Sequence, residues 1–226
     1  KVTLTPDFEL DADKLLAEVD EWVKIIFLCS PNNPTGNSLN RDEIYKILNN
    51  FEGIVILDEA YIDFSEEPSF LPELKKFPNL IILQTLSKAW GAAGIRLGMA
   101  FASPEIVAIL NKIKYPYNVN VLTQERALDI LNNETEMLRQ LRSIMSERIR
   151  LQAALPELSV VNKMYPTDAN FILVDVGKAD SVYNKLVKKG VIVRNRNNVT
   201  LCHGCLRITV GTPEENDALL KALKSI

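Results

Sequence analysis

Six polar residues, spread over three short segments, have side chains that could support covalent catalysis. In chain order they are Asn33 in PNNPTG, Asp58 and Tyr61 in DEAY, and Thr85, Ser87 and Lys88 in TLSK. Each segment directly follows an apolar run of the kind that buried parallel strands show. Because ligands of open α/β sheets bind at the carboxyl ends of the strands, we expect these side chains to face one crevice.

This set of groups, with Arg96 a few residues further on, suits an anionic aromatic aldehyde. A lysine amine can condense with the aldehyde. A buried aspartate would stabilise a protonated ring nitrogen, hydroxyls and an arginine would bind a phosphate dianion, and neutral donors would bind a phenolic oxygen. Pyridoxal phosphate combines these features, so the residues predict a site for that cofactor.

The elements that must position these residues read as an alternation of strands and helices. Apolar runs predict strands over 24–30, 53–61 and 80–85, and helical spacing is found over 40–51 and 68–76. The order strand, helix, strand, helix, strand predicts an α/β fold with a parallel sheet and right-handed crossovers. A further strand-like run follows in LGMAFAS.

The second half of the chain has a different pattern. A long amphipathic stretch at 134–155 predicts a bridging helix. Beyond it, the short strand-like runs ANFILVDV, GVIVRN and CLRITVG alternate with helices, which is typical of an α+β domain. We therefore predict a large domain over 1–129 and a small C-terminal domain over 130–226.

Composition excludes several classes of protein. With 47% hydrophobic and 24% charged residues, the chain can bury a sizeable core and is predicted to be folded. The net charge is -3 and the basic residues are scattered, so nucleic acid is not an expected partner. No apolar run approaches the roughly 20 residues of a membrane span and no signal peptide opens the chain, which predicts a cytoplasmic protein without a membrane partner.

The three cysteines are Cys29, Cys202 and Cys205, and the last two flank His203 in CHGC. An odd number argues against a disulfide framework. A second pair of ligands is absent from the sequence, so we predict reduced thiols and no metal site.

Four strings in this order carry a family resemblance: PNNPTG, DEAYIDF, TLSKAWGAAGIRLG and CLRITVGTPEEN. They resemble the signatures of fold-type-I pyridoxal-phosphate aminotransferases, in particular the histidinol-phosphate branch, and the resemblance covers essentially the whole chain. It implies a homodimeric enzyme of histidine biosynthesis. Such an enzyme exchanges an amine between histidinol phosphate and 2-oxoglutarate, and the products are imidazole-acetol phosphate and glutamate.

The resemblance also implies a role for each cofactor residue. Lys88 would form the Schiff base and then move the proton between the substrate carbon and the cofactor. Asp58 would pair with the pyridinium nitrogen. The phenolic oxygen would be bound by Asn33 and Tyr61, and the phosphate by Thr85, Ser87 and Arg96.

Three further residues match substrate-binding positions of the family. Arg207 in CLRITVG matches the carboxylate-binding arginine, Arg194 in VIVR matches an arginine that binds substrate phosphate, and Asn170 in ANFILV matches a position near them. Histidinol phosphate has no α-carboxylate, whereas glutamate has one. The two guanidinium groups must therefore accept either anion in turn.

Other functions fit the same motifs. A threonine-phosphate decarboxylase or an aromatic aminotransferase would use the same cofactor residues, and a truncated chain could be a non-catalytic domain. The chain opens at Lys1 without methionine, and we interpret it as a fragment. By the usual domain sizes, relatives have roughly a hundred more residues at the N-terminus. In the family these include a phosphate-binding loop, an aromatic that stacks on the cofactor ring and an arm that contributes to substrate binding.

Overall fold

A computed structural model describes all 226 residues, and they form two compact units. Unit 1 consists of residues 1–31 and 39–138, and unit 2 consists of residues 32–38 and 139–226. None of the helices combines the length and the apolar character that a membrane crossing needs. The domain boundary at 129/130 stays a prediction.

Unit 1 is built on a four-stranded sheet. Its strands are β1 (Ile25–Cys29), β2 (Ile54–Asp58), β3 (Leu80–Thr85) and β4 (Gly98–Phe101), in the spatial order β1-β2-β3-β4. The first three strands are parallel and β4 is antiparallel to β3. The predicted, mainly parallel α/β sheet is therefore confirmed.

Four α-helices precede, separate or follow these strands along the chain. They are α1 (Ala12–Ala17), α2 (Arg41–Asn50), α3 (Pro104–Ile113) and α4 (Val121–Leu131), with short 3-10 helices at Ile62–Phe64, Leu71–Lys75 and Ala93–Ile95. Asn40 caps α2, since its side chain accepts the Asp42 N–H at 2.8 Å. The helix expected over 68–76 is present only as the 3-10 helix Leu71–Lys75. Pro78 follows soon after its end and disfavours helical backbone at Phe77.

The core of unit 1 covers one face of its sheet. Ile44 and Ile47 of α2 are fully buried, as are Val55 and Leu57 of β2, and all four belong to one hydrophobic cluster. The opposite face of the sheet is partly open. Alternate residues of β1 are buried, and Phe27, which points to the other face, is 69% exposed.

Unit 2 contains a second sheet and three helices. The long helix α5 (Glu134–Ala154) begins in unit 1 and continues into unit 2. The remaining elements are β5 (Lys163–Met164), β6 (Phe171–Asp175), α6 (Ala179–Lys188), β7 (Arg194–Asn195), β8 (Cys205–Thr209) and α7 (Pro213–Lys224), with a short 3-10 helix at Leu155–Glu157. The sheet order is β5-β6-β8-β7, with antiparallel neighbours throughout.

The core of unit 2 lies between this sheet and its helices. Ile172 and Leu206 of the sheet are fully buried with Leu151 of α5 and Leu186 of α6. The strand expected from GVIVRN is shorter than predicted, since only Arg194–Asn195 pairs in the sheet. The first residues of this segment instead form the turn that follows α6, in which the Val191 N–H donates to Leu186 O at 3.0 Å.

Candidate functional site

In unit 1 the ends of the parallel strands bring candidate residues to one edge of the sheet. Cys29, Asp58 and Leu83 are register neighbours across β1, β2 and β3. Asp58 and Thr85 both line a pocket of about 420 Å³, together with Ala60, Leu83, Gln84, Gly98, Met99 and Ala100. Sequence reasoning missed Ala60 and Gly98, although both lie within the motifs that it singled out.

The carboxylate of Asp58 is held by its own loop. Its Oδ1 accepts the Ala60 N–H at 2.9 Å, which is a short side-chain to backbone turn. Asp58 is only half-buried, so its other acceptor positions stay accessible. The arrangement suits a carboxylate that must face a cationic group of a ligand.

Lys88 lies beside an aromatic ring. Its Nζ is 5.2 Å from the ring centroid of Tyr61, within cation–π range, and the Tyr61 side chain is buried. The lysine itself is half-buried in a turn in which the Gly91 N–H donates to Lys88 O at 3.0 Å. The structure thus brings together the predicted amine and the predicted phenol.

The predicted phosphate-binding residues are partly assembled. Thr85 Oγ1 lies 2.9 Å from Ser87 Oγ and accepts the Ser87 N–H at 3.1 Å. Arg96 has a left-handed backbone (φ 56°), and its Nη1 donates to Ala93 O at 3.1 Å within its own turn. The two hydroxyls therefore meet, whereas the arginine side chain makes no hydrogen bond to either of them.

Unit 2 joins two candidates that are far apart in the sequence. Arg207 Nη1 donates to Asn33 Oδ1 at 2.7 Å, and the guanidinium carbon lies 4.7 Å from the ring centroid of Phe171. The turn that carries Asn33 needs glycine at position 36. Gly36 has φ +91°, and an added Cβ would lie 2.4 Å from Thr167 Oγ1.

The second predicted arginine lies directly opposite the first. Arg194 of β7 and Arg207 of β8 are register partners, so their side chains share one face of the sheet. Like charges in this arrangement repel each other, and a bound anion would relieve the repulsion. Asn170 directly precedes β6, and its carbonyl accepts the Val210 N–H at 2.9 Å.

Cys202 and Cys205 lie in a turn closed by a hydrogen bond from the Cys205 N–H to Cys202 O at 3.0 Å. Both residues are buried, and burial raises the pKa of the Cys205 thiol to about 12 and raises the pKa of Cys202 as well. Neither thiol is therefore an activated nucleophile. No group of three or more His, Cys, Asp or Glu side chains is placed to hold a metal ion.

The sequence matches the family described as Aminotransferase class I and II over residues 1–223. The chain belongs to this aminotransferase family. A curated relative, the histidinol-phosphate aminotransferase of Parabacteroides distasonis, is 66% identical over 226 residues. That alignment covers 100% of this chain and 66% of the relative, so the chain spans just under two thirds of the relative's length.

Solved structures of the aminotransferase fold are also similar. The crystal structure of histidinol-phosphate aminotransferase from Clostridium acetobutylicum matches with a TM-score of 0.91 and 26% identity, over 98% of this chain and 69% of that one. The enzyme from Sinorhizobium meliloti, solved in complex with pyridoxal-5'-phosphate, matches with a TM-score of 0.85 and 26% identity, over 100% of this chain and 63% of that one. These likenesses confirm the predicted fold-type-I transferase fold.

Proposed function

We propose that this chain belongs to an enzyme that transfers an amine between histidinol phosphate and 2-oxoglutarate with pyridoxal phosphate as cofactor, a reaction of histidine biosynthesis. The observation that carries the proposal is the 66% identity with a histidinol-phosphate aminotransferase, which extends over the whole chain. The candidate catalytic lysine and its acidic, phenolic and hydroxyl neighbours all lie within this aligned length.

The residues at the strand ends of unit 1 fit the cofactor. The pocket lined by Asp58 and Thr85 has the size of small-molecule sites, which run from about 300 to 1,000 Å³. When bound, pyridoxal phosphate supplies an electron sink for charge that develops on the substrate carbon. The Asp58 carboxylate would keep a proton on the ring nitrogen, and the Thr85 and Ser87 hydroxyls would bind the phosphate.

Lys88 would act as both covalent anchor and base. Its Nζ would attach to the cofactor aldehyde and, once released, would take the proton from the substrate carbon. A lysine can do this only as the neutral amine. The Tyr61 ring lies 5.2 Å from Nζ and so forms one side of the space around the amine.

The arginine pair of unit 2 suits substrates that carry phosphate or carboxylate. Arg194 and Arg207 share one face of the sheet. A guanidinium group can form bidentate hydrogen bonds with either a phosphate or a carboxylate. The roles of all the candidate site residues, among them Asn33, Asn170 and Arg96, stay predictions. The homodimer and the cytoplasmic location also stay predictions.

The first test is an absorbance spectrum of the chain with added pyridoxal phosphate, before and after borohydride reduction. We expect a visible band that borohydride removes while the cofactor becomes covalently fixed to Lys88, where mass spectrometry of the peptides locates it. Lys88→Ala should remove the band and lower any turnover by more than about 100-fold, the scale of a lost acid–base group. Lys76→Ala is the matched control, because the Lys76 ammonium also lies over an aromatic ring, 4.9 Å from the ring centroid of Phe77.

Substrate assays then separate the alternatives. Amine transfer from histidinol phosphate to 2-oxoglutarate is the expected activity. Release of carbon dioxide from phosphothreonine would instead indicate the decarboxylase, and preference for aromatic amino acids would indicate an aromatic aminotransferase. An intact protein, with the further length that its relatives have, that folds but shows no band and no turnover would contradict the proposal and favour a non-catalytic domain.

A further inference from the structure

Glu59 is a buried carboxylate with three hydrogen-bond donors around it. The residue is 1% exposed. Its Oε1 accepts the Phe70 N–H at 2.7 Å, and its Oε2 accepts from Ser69 Oγ at 2.6 Å and from Gln84 Nε2 at 3.0 Å. Burial of a carboxylate is costly unless such donors replace water. The three hydrogen bonds therefore stabilise the buried Glu59 carboxylate in unit 1.

These bonds connect the elements that carry the candidate cofactor residues. Glu59 directly follows Asp58 at the end of β2, and Gln84 directly precedes Thr85 at the end of β3. The Glu59 N–H also donates to Leu83 O at 2.8 Å. Gln84 lines the same pocket as Asp58 and Thr85, so the Glu59 to Gln84 bond lies beside the candidate cofactor residues.

We infer that Glu59 is a positioning residue that holds the ends of β2 and β3 in register and so sets the separation of Asp58 and Thr85. As far as it concerns the cofactor, the inference rests on the proposed function. The charge of Glu59 matters as well as its shape. A glutamine at this position has nearly the same shape but no charge, so the three donors lose their ionised acceptor without a cavity being left.

The test compares Glu59→Gln with Glu43→Gln. Glu43 is a matched control, because its Oε2 also accepts a backbone N–H, that of Ala12 at 2.6 Å, and it lies outside the pocket. Two quantities are measured: amide hydrogen exchange of residues 58–61 and 84–88 without cofactor, and the dissociation constant of pyridoxal phosphate from its absorbance band. For Glu59→Gln we expect exchange about tenfold faster in both segments and cofactor binding about tenfold weaker, the scale of one lost charge-assisted bond. Glu43→Gln should leave both quantities unchanged.

The outcomes separate the two proposals. Unchanged exchange in both segments of a folded Glu59→Gln protein would overturn the positioning role, and so would faster exchange spread evenly over the chain. If Glu59→Gln does not fold, Ser69→Ala removes one donor and should accelerate exchange in the same segments about threefold; no change there overturns the inference. Local acceleration in an intact protein whose wild type binds no pyridoxal phosphate would support the connection between the strands and overturn the cofactor function.

Discussion

The two units assemble their polar groups by different routes. In unit 1 the candidate residues follow adjacent parallel strands, so strand order alone brings Asp58 and Thr85 to the same pocket. In unit 2 the hydrogen bond from Arg207 to Asn33 joins residues 174 positions apart. The first kind of site follows from a regular sheet, whereas the second depends on a specific tertiary contact.

The sheets of the two units also differ in how they are covered. In β6 of unit 2, four successive residues from Phe171 to Val174 are buried, so both faces of that strand are covered. In β1 of unit 1 only alternate residues are buried, and Phe27 is 69% exposed. Parallel strands are usually covered on both faces, so the open face of β1 is the less usual of the two.

The largest expected effect concerns the two faces of the unit 1 sheet. Leu57→Ala should lower the free energy of unfolding by about 2 to 5 kcal/mol, because Leu57 is fully buried in the core. Phe27→Ala should change it by less than about 0.5 kcal/mol, since the ring is largely exposed. Urea unfolding monitored by circular dichroism measures both. Comparable losses for the two variants would mean that the open face is packed in solution, and the contrast with β6 would disappear.

Removal of Arg207 tests whether the two sites serve different parts of the reaction. Arg207→Ala should raise KM for glutamate and histidinol phosphate by about 10- to 100-fold, because a charge-assisted contact to the substrate anion is lost. The absorbance of bound pyridoxal phosphate should be retained, since Asp58, Thr85 and Lys88 stay in place and Asn33 loses only its contact with Arg207. Arg142→Ala, an exposed arginine of α5, is the control and should have no effect. Loss of cofactor binding in Arg207→Ala would contradict the expectation that Arg207 serves substrate binding alone.

The smallest expected effect is a pH dependence in unit 2. Glu147 accepts from Arg150 Nη2 at 2.7 Å and from Asn216 Nδ2 at 2.7 Å, and these bonds lower the pKa of its carboxyl. Its folded pKa is thus below the unfolded value of about 4.3, so its contribution is fully present above that pH and is lost as pH falls through the folded pKa.

The measurement is the free energy of unfolding from urea titrations at pH 7 and in acid. Glu147→Gln should cost about 1 kcal/mol at pH 7 and progressively less as the pH falls below about 4. Glu157→Gln, at an exposed position, should follow the wild type. An equal cost of Glu147→Gln at both pH values would show that the ionised carboxylate is not what stabilises this unit.

Periodicity predicted the regular elements well and the irregular ones poorly. The strands before DEAY and TLSK and the helices at 40–51 and 134–155 all appear within a few residues of their expected ends. The stretch 68–76 became a 3-10 helix, and the strand through GVIVRN is two residues long. The conformation of segments rich in proline or glycine depends on which backbone N–H and C=O groups find hydrogen-bond partners. A local sequence pattern does not contain that information.

The sequence by itself determined the parallel strands, the motifs at their ends and the family, because alternation of apolar runs and the order of short polar strings are local properties. Only the tertiary structure decided that Arg207 bonds Asn33, that Arg194 lies opposite Arg207, and that Glu59 joins the ends of β2 and β3. Each of these contacts depends on strand register or on chain segments far apart in the sequence. Register and long-range packing arise from the burial of whole faces, which no single segment specifies alone.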